Sequence, residues 1–112
     1  MLMEPMDQFN LNIDIARRNI RIAVALRDTN FSEVARAAGL SRNAVSQFVS
    51  KRTTLSYANM LKICDVLDIP IGLLNIEDGV TEGRLRLQKA LDRLSTEKLA
   101  EALKDINIQS ED

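Results

Sequence analysis

The chain has 112 residues, 46% hydrophobic and 28% charged, which suits one soluble, helix-rich domain with at most a small appendage. Its 15 basic and 16 acidic residues nearly cancel, and it has no histidine and only one cysteine, Cys64. Histidine-based catalysis, an intrachain disulfide and a Cys/His zinc site are thereby excluded; we expect neither enzyme activity nor a metal or cofactor.

The opening MLMEPMDQFN has no basic start and no sustained apolar core, so it does not read as a signal peptide. Residues 1–11, with Pro5 and few anchors, are expected to form a flexible lead-in. From Asn12, the stretch IDIARRNIRIAVALRD spaces Ile13, Ala16, Ile20, Ala23 and Val24 along one helical face. Isoleucines at 13, 15, 20 and 22 leave a strand open over part of it, and the alanines tip the reading to helix. Asn30 is a good N-cap for a second helix, and Glu33 can return to the cap amide. Gly39 ends that helix where a left-handed backbone is needed.

Ser41 then caps a third helix, RNAVSQFVS, whose Val45, Phe48 and Val49 form an i, i+3, i+4 stripe. After the polar loop SKRTT, Ser56 caps a fourth helix, YANMLKICDVL, with Met60, Leu61, Cys64 and Leu67 facing inward and the thiol inert. Pro70 allows one last turn, IGLLN, and the unit 12–78 looks complete. Residues 79–112 change character: TEGRLRLQKALDRLSTEKLAEALKDI is charged and amphipathic, with Leu87, Leu91 and Leu94 followed by Leu99, Leu103 and Ile106. Ser95 or Thr96 offers a new cap there, so two helices or one bent helix both fit. Such a tail folds back or pairs with its copy, and the completeness of the preceding unit favours pairing. The longest apolar runs, AVAL and IPIGLL, are too short to span a bilayer; no membrane partner is expected, and the cytoplasm is the expected compartment.

Charge is unevenly placed along these elements. Residues 1–16 carry −3, residues 17–62 carry +7 and residues 63–112 carry −5. A basic centre between acidic ends directs a field towards a polyanion on one face.

The stretch FSEVARAAGLSRNAVSQFVS resembles the helix-turn-helix of bacterial and phage repressors of the Cro/cI type, also called XRE-like. The resemblance rests on Ala35, Gly39 and Val45 at their relative spacing, with Leu40 and Phe48 as further apolar positions. Ala35 is small where two helices cross, Gly39 makes the turn, and Val45 wedges the second helix onto the first. LSYANMLKICDVLDIPIGLLN extends the likeness to roughly residues 13–76. It implies an all-α, five-helix domain that binds double-stranded DNA in the bacterial cytoplasm or nucleoid. The family's frequent glutamine at the start of the second helix is here Phe31, expected in the core, which leaves phosphate contact there to backbone amides. The glycine common after the third helix is replaced by SKR.

In this family the third helix enters the major groove with its leading residues against base edges. The resemblance therefore assigns Arg42, Asn43, Ser46 and Gln47 to the bases, Arg42 suiting guanine and Asn43 and Gln47 adenine. Lys51, Arg52, Thr53, Thr54 and Ser56 fall to the DNA backbone, with Arg17, Arg21, Asn30, Arg36 and Ser41 as further phosphate contacts. One such unit reads too few base pairs, so a homodimer on an inverted repeat is expected, paired through the tail's six apolar residues. The expected role is transcription regulation, with repression by occupying an operator. An antitoxin-type regulator that holds a toxin with its tail is an alternative, and so is a protein-interaction module that binds no DNA; the +7 segment weighs against the latter.

Overall fold

The computed structural model describes residues 5–94 and 96–110. Among them are six α-helices and no strand: α1 Pro5–Leu26, α2 Phe31–Ala37, α3 Ala44–Val49, α4 Tyr57–Leu67, α5 Glu82–Asp92 and α6 Thr96–Ser110, with a 3₁₀ turn at Ile71–Leu73. The chain divides into two compact units, residues 1–82 and 83–112. No helix of the described residues is long and apolar enough to cross a membrane.

The first helix reaches further back than the periodicity from Asn12 indicated. It begins at Pro5, inside the segment expected to be a loose lead-in. Proline at the first helical position has no amide to waste and a backbone angle already suited to the helix, and Asp7 lies in the first turn beside the positive end of the helix dipole. A Gln8–Asn12 side-chain hydrogen bond of 3.1 Å, one turn apart, supports the extension. The strand reading over the isoleucines fails because Ala16, Ile20, Ala23 and Val24 all bury on one helical face.

Helix ends in this unit share one device. Asp28, Gly39, Lys51 and Asp68 follow α1, α2, α3 and α4 with φ of 53°, 72°, 69° and 54°. After α2, the Leu40 amide donates to the Ala35 carbonyl at 2.9 Å and the Gly39 amide to Arg36 at 3.0 Å. The same crossed pair recurs after α3, where the Arg52 amide reaches Gln47 at 2.9 Å and the Lys51 amide reaches Phe48 at 3.1 Å. These bonds satisfy carbonyls that a helix end leaves without partners. Only one of the four positions is glycine, so sequence alone signals one stop of four. A Cβ at Gly39 would meet nothing within 4 Å; glycine is favoured there by its backbone angle, not by space.

The core of the first unit gathers Ile20 and Ala23 of α1, Val34 and Ala35 of α2, Val45 and Phe48 of α3, and Ile63, Cys64 and Leu67 of α4. The fourth helix is turned slightly from the expected phase. Ile63 is fully buried, whereas Leu61 is exposed, because Leu61 lies about 100° round the helix from Met60 and falls off the inward face. Phe31 also departs from expectation: it is half-buried at the start of α2 and not a core residue. Burial pushes the Cys64 thiol up to about 11, in keeping with an inert core cysteine.

Two polar side chains of α1, Asn19 and Arg17, and Arg27 directly after it tie down the elements around that helix. Asn19, 2% exposed, donates to the carbonyls of Leu74 at 2.6 Å and Ile76 at 3.0 Å, and so fixes the segment after the 3₁₀ turn. Arg27 Nε donates to the Leu67 carbonyl at 2.8 Å, and its guanidinium also reaches the Asp68 carbonyl at 2.9 Å, capping α4. Arg17 does the same for α3, as described below. A cation at a helix C-terminus satisfies orphan carbonyls and opposes the negative end of the dipole.

In the second unit the tail forms two helices, not one bent helix, with a break between Asp92 and Thr96. Ser95, one of the two expected caps, lies outside the described residues. Leu87 and Leu91 on α5 with Leu94 just beyond it, and Leu99, Leu103 and Ile106 on α6, repeat the same i, i+4, i+7 spacing, and all six are between 39% and 62% exposed.

Candidate nucleic-acid interface

Two short helices and the turn between them build the site. Asn30 caps α2 by accepting a hydrogen bond from the Glu33 amide at 2.9 Å. The Glu33 carboxylate does not return to the cap as expected; it pairs with Arg36 on the next turn. That hydrogen bond, with the charge of the guanidinium, holds the Glu33 carboxyl below its ordinary value and raises Arg36. Ala35 and Val45 are both fully buried where α2 meets α3, so the small residue and the wedge occupy the places their spacing predicted.

The third helix starts later than the Ser41 cap implied. Ser41 and Ala44 close a turn through a 3.0 Å hydrogen bond, and α3 begins at Ala44 with Asn43 in the cap position. Asn43 makes no side-chain cap hydrogen bond. Its amide group therefore stays available for another partner, beside the exposed Arg42 in the same turn. Val45, Phe48 and Val49 bury the opposite side of α3. Ser46 and Gln47 sit half-buried between the two faces, and the Ser46 hydroxyl donates to the Asn43 carbonyl at 3.1 Å.

A polar groove of about 540 Å³ runs from the start of α2 to the turn before α3, lined by Asn30, Ser32, Glu33, Arg36, Leu40 and Arg42. It brings together three of the expected DNA-contacting residues, Asn30, Arg36 and Arg42. Ser32 lines the same groove and was not among the expected residues, although its place two residues after the cap was a usable signal. Lys51, Arg52, Thr53 and Thr54 are exposed on the loop after α3. Ser56 is exposed as well, but its hydroxyl already accepts from the Asn59 amide at 3.1 Å to cap α4. Arg21 is exposed on α1, with no hydrogen bond or ion pair drawing it to the others among the described residues.

Arg17 is placed differently from the phosphate contact expected of it. Its side chain is only 13% exposed. Nε donates to the Phe48 carbonyl at 2.7 Å, and the remaining nitrogens reach Asp14 Oδ1 at 3.0 Å and the Thr53 carbonyl at 3.3 Å. The guanidinium also lies 5.1 Å from the centre of the Phe48 ring, within cation–π range. Asp14 is shared, since Lys51 Nζ stands 3.5 Å from its other oxygen.

The arrangement presents hydrogen-bonding side chains on a buried apolar base, at the width of one helix, with cations on the loop behind. A B-form major groove admits such a helix, and its base edges offer the acceptors and donors that arginine, asparagine and glutamine can meet. A family model described as a Cro/C1-type HTH DNA-binding domain matches residues 19–77, just over half of the chain. No curated protein and no solved structure matches the chain.

Proposed function

The chain belongs to the Cro/C1-type helix-turn-helix DNA-binding domain family, a DNA-binding transcription regulator in an all-α fold, and from that premise we propose that it is a dimeric repressor of an inverted-repeat operator. The observation that carries the reading is the turn ahead of α3. Arg42 and Asn43 stand exposed there, Asn43 with its side chain unused by the helix, while Val45, Phe48 and Val49 hold the other side in the core. In this reading Arg42, Asn43, Ser46 and Gln47 meet base edges. Arg21, Arg36, Lys51, Arg52, Thr53 and Thr54 meet phosphates, with Asn30, Ser32 and Ser41 at the leading ends of the two helices.

Two-fold pairing supplies the second half-site that one short helix cannot read. The six exposed apolar residues of the tail support pairing through it, because a single copy leaves them in water. The same stripes would serve an antitoxin-type regulator that holds a protein partner.

Selection from random duplex DNA at near-physiological salt tests the proposal. A palindromic consensus, with half-site centres about 34 Å apart or a multiple of that, is the expected result. Retention without a consensus would remove Arg42 and Gln47 as base readers and leave only charge-driven binding. No retention would return the chain to a protein-interaction role.

A further inference from the structure

We infer that Arg17 is a positioning residue for base reading: it sets the pose of α3 on the domain without touching DNA. The inference rests on the DNA-binding reading above and adds a determinant of specificity outside the reading face.

The third helix is six residues long, less than two turns, and only Val45, Phe48 and Val49 bury beneath it. Three apolar contacts on so short an element restrain its depth better than its tilt, because dispersion contacts are not directional. Tilt requires a directional restraint at an end. The leading end has none from its cap, since Asn43 makes no side-chain cap bond. The trailing end has Arg17, anchored on α1 thirty-one positions earlier in the chain, with a 2.7 Å hydrogen bond to the Phe48 carbonyl.

The same guanidinium extends the restraint past the helix. It donates to the Thr53 carbonyl at 3.3 Å and lies against the Phe48 ring, while Asp14 orients it from below at 3.0 Å. Helix end and following loop are therefore fixed to one rigid, planar group. Since the loop carries Lys51, Arg52, Thr53 and Thr54, Arg17 also sets where those phosphate contacts stand relative to Asn43 and Gln47. A planar fork can hold both carbonyls at once; a lysine ammonium at the end of a flexible stem holds them in no fixed relation.

Arg17→Gln and Arg17→Lys in the full chain test this. The affinity of each for the selected consensus duplex and for a scrambled duplex is measured across a range of salt. In both variants the consensus-to-scrambled ratio is expected to fall about tenfold, the size of one degraded base pairing, while the slope of log affinity against log salt keeps its wild-type value. Asp14→Asn, which loosens the same guanidinium, should lower the ratio in the same direction, and it carries the test if either arginine variant does not fold. If Arg17→Gln instead keeps the ratio and flattens the slope by about 1.8, one phosphate in each copy of the dimer, and Arg17→Lys restores it, Arg17 contacts a phosphate and the inference is overturned. A lowered Tm with both ratio and slope intact overturns it as well, since Arg17 would then support only the fold. A wild-type protein with no ratio to lose is a separate failure, that of the DNA-binding reading, and takes the inference with it.

Discussion

Lys51 shows how two demands meet at a single residue. Its φ of 69° lies in the left-handed region, which costs a residue with a Cβ about 1–2 kcal/mol. A glycine would escape that strain but lose about 0.5–1 kcal/mol to the extra freedom of the unfolded chain. Its exposed pairing with Asp14 at 3.5 Å contributes little against either term. Lys51→Gly is thus expected to stabilise the domain by about 0.5–1 kcal/mol, read as a higher denaturation midpoint, while weakening DNA binding alike for all sequences. Stability and affinity moving together would remove Lys51 from the phosphate contacts. Arg42→Ala and Gln47→Ala belong to the other class. Each should weaken binding to the consensus by about 1–3 kcal/mol and leave scrambled duplex nearly untouched, in a titration against both duplexes. At the Glu33–Arg36 pair, the depressed carboxyl makes its contribution above the ordinary carboxylate range, and that contribution disappears as pH falls through the lower folded value. Neutralising the carboxylate by Glu33→Gln releases Arg36 in the groove and should tighten binding several-fold at neutral pH.

At the scale of elements, the segment from the 3₁₀ turn to the end of the first unit depends on two residues. Asn19 supplies the donor for the Leu74 and Ile76 carbonyls, one of them deeply buried. Asn19→Ala strands both acceptors and should cost about 2–3 kcal/mol of unfolding free energy, measured by denaturant titration. Gly79 is required for space: an added Cβ would collide with the Leu73 carbonyl and stand 2.8 Å from that of Ile76. Backbone carbonyls cannot step aside as a side-chain end can, so Gly79→Ala forces the segment to shift and should cost about 1–3 kcal/mol in the same experiment. Much at this scale was legible. Ala35, Gly39 and Val45 announced the helix–turn–helix, and Asn30 and Ser56 announced two caps that the structure contains. The left-handed ends at Asp28, Lys51 and Asp68 were not legible, because their crossed hydrogen bonds impose a backbone angle that their side chains do not advertise.

Across the whole molecule the +7 of residues 17–62 overstates the field offered to DNA. Arg17 and Arg27 are used up on the carbonyl ends of α3 and α4. Arg21, Arg36, Lys51 and Arg52 remain as the phosphate partners proposed for each copy, so the proposed dimer predicts a salt slope of about −7. Leu91→Glu together with Leu103→Glu places charge on both exposed stripes of the tail. Sedimentation should then report a monomer, with the salt slope near half its former value. A variant that stays dimeric would move the pairing surface away from the tail.

By itself the sequence determined the elements and the family, because helical periodicity, caps and the spacing of Ala35, Gly39 and Val45 are local patterns that survive in one dimension. Only the tertiary structure decided which polar residues are free to act. Arginine reads the same along the chain at 17, 27 and 42, yet two of these cap helix ends that lie tens of positions away, while Arg42 faces solvent. Asn19 likewise became a buried anchor only once residues 74 and 76 were folded against it. What separates them is which orphan carbonyls the fold brings within reach of each donor, and that is a fact of three dimensions.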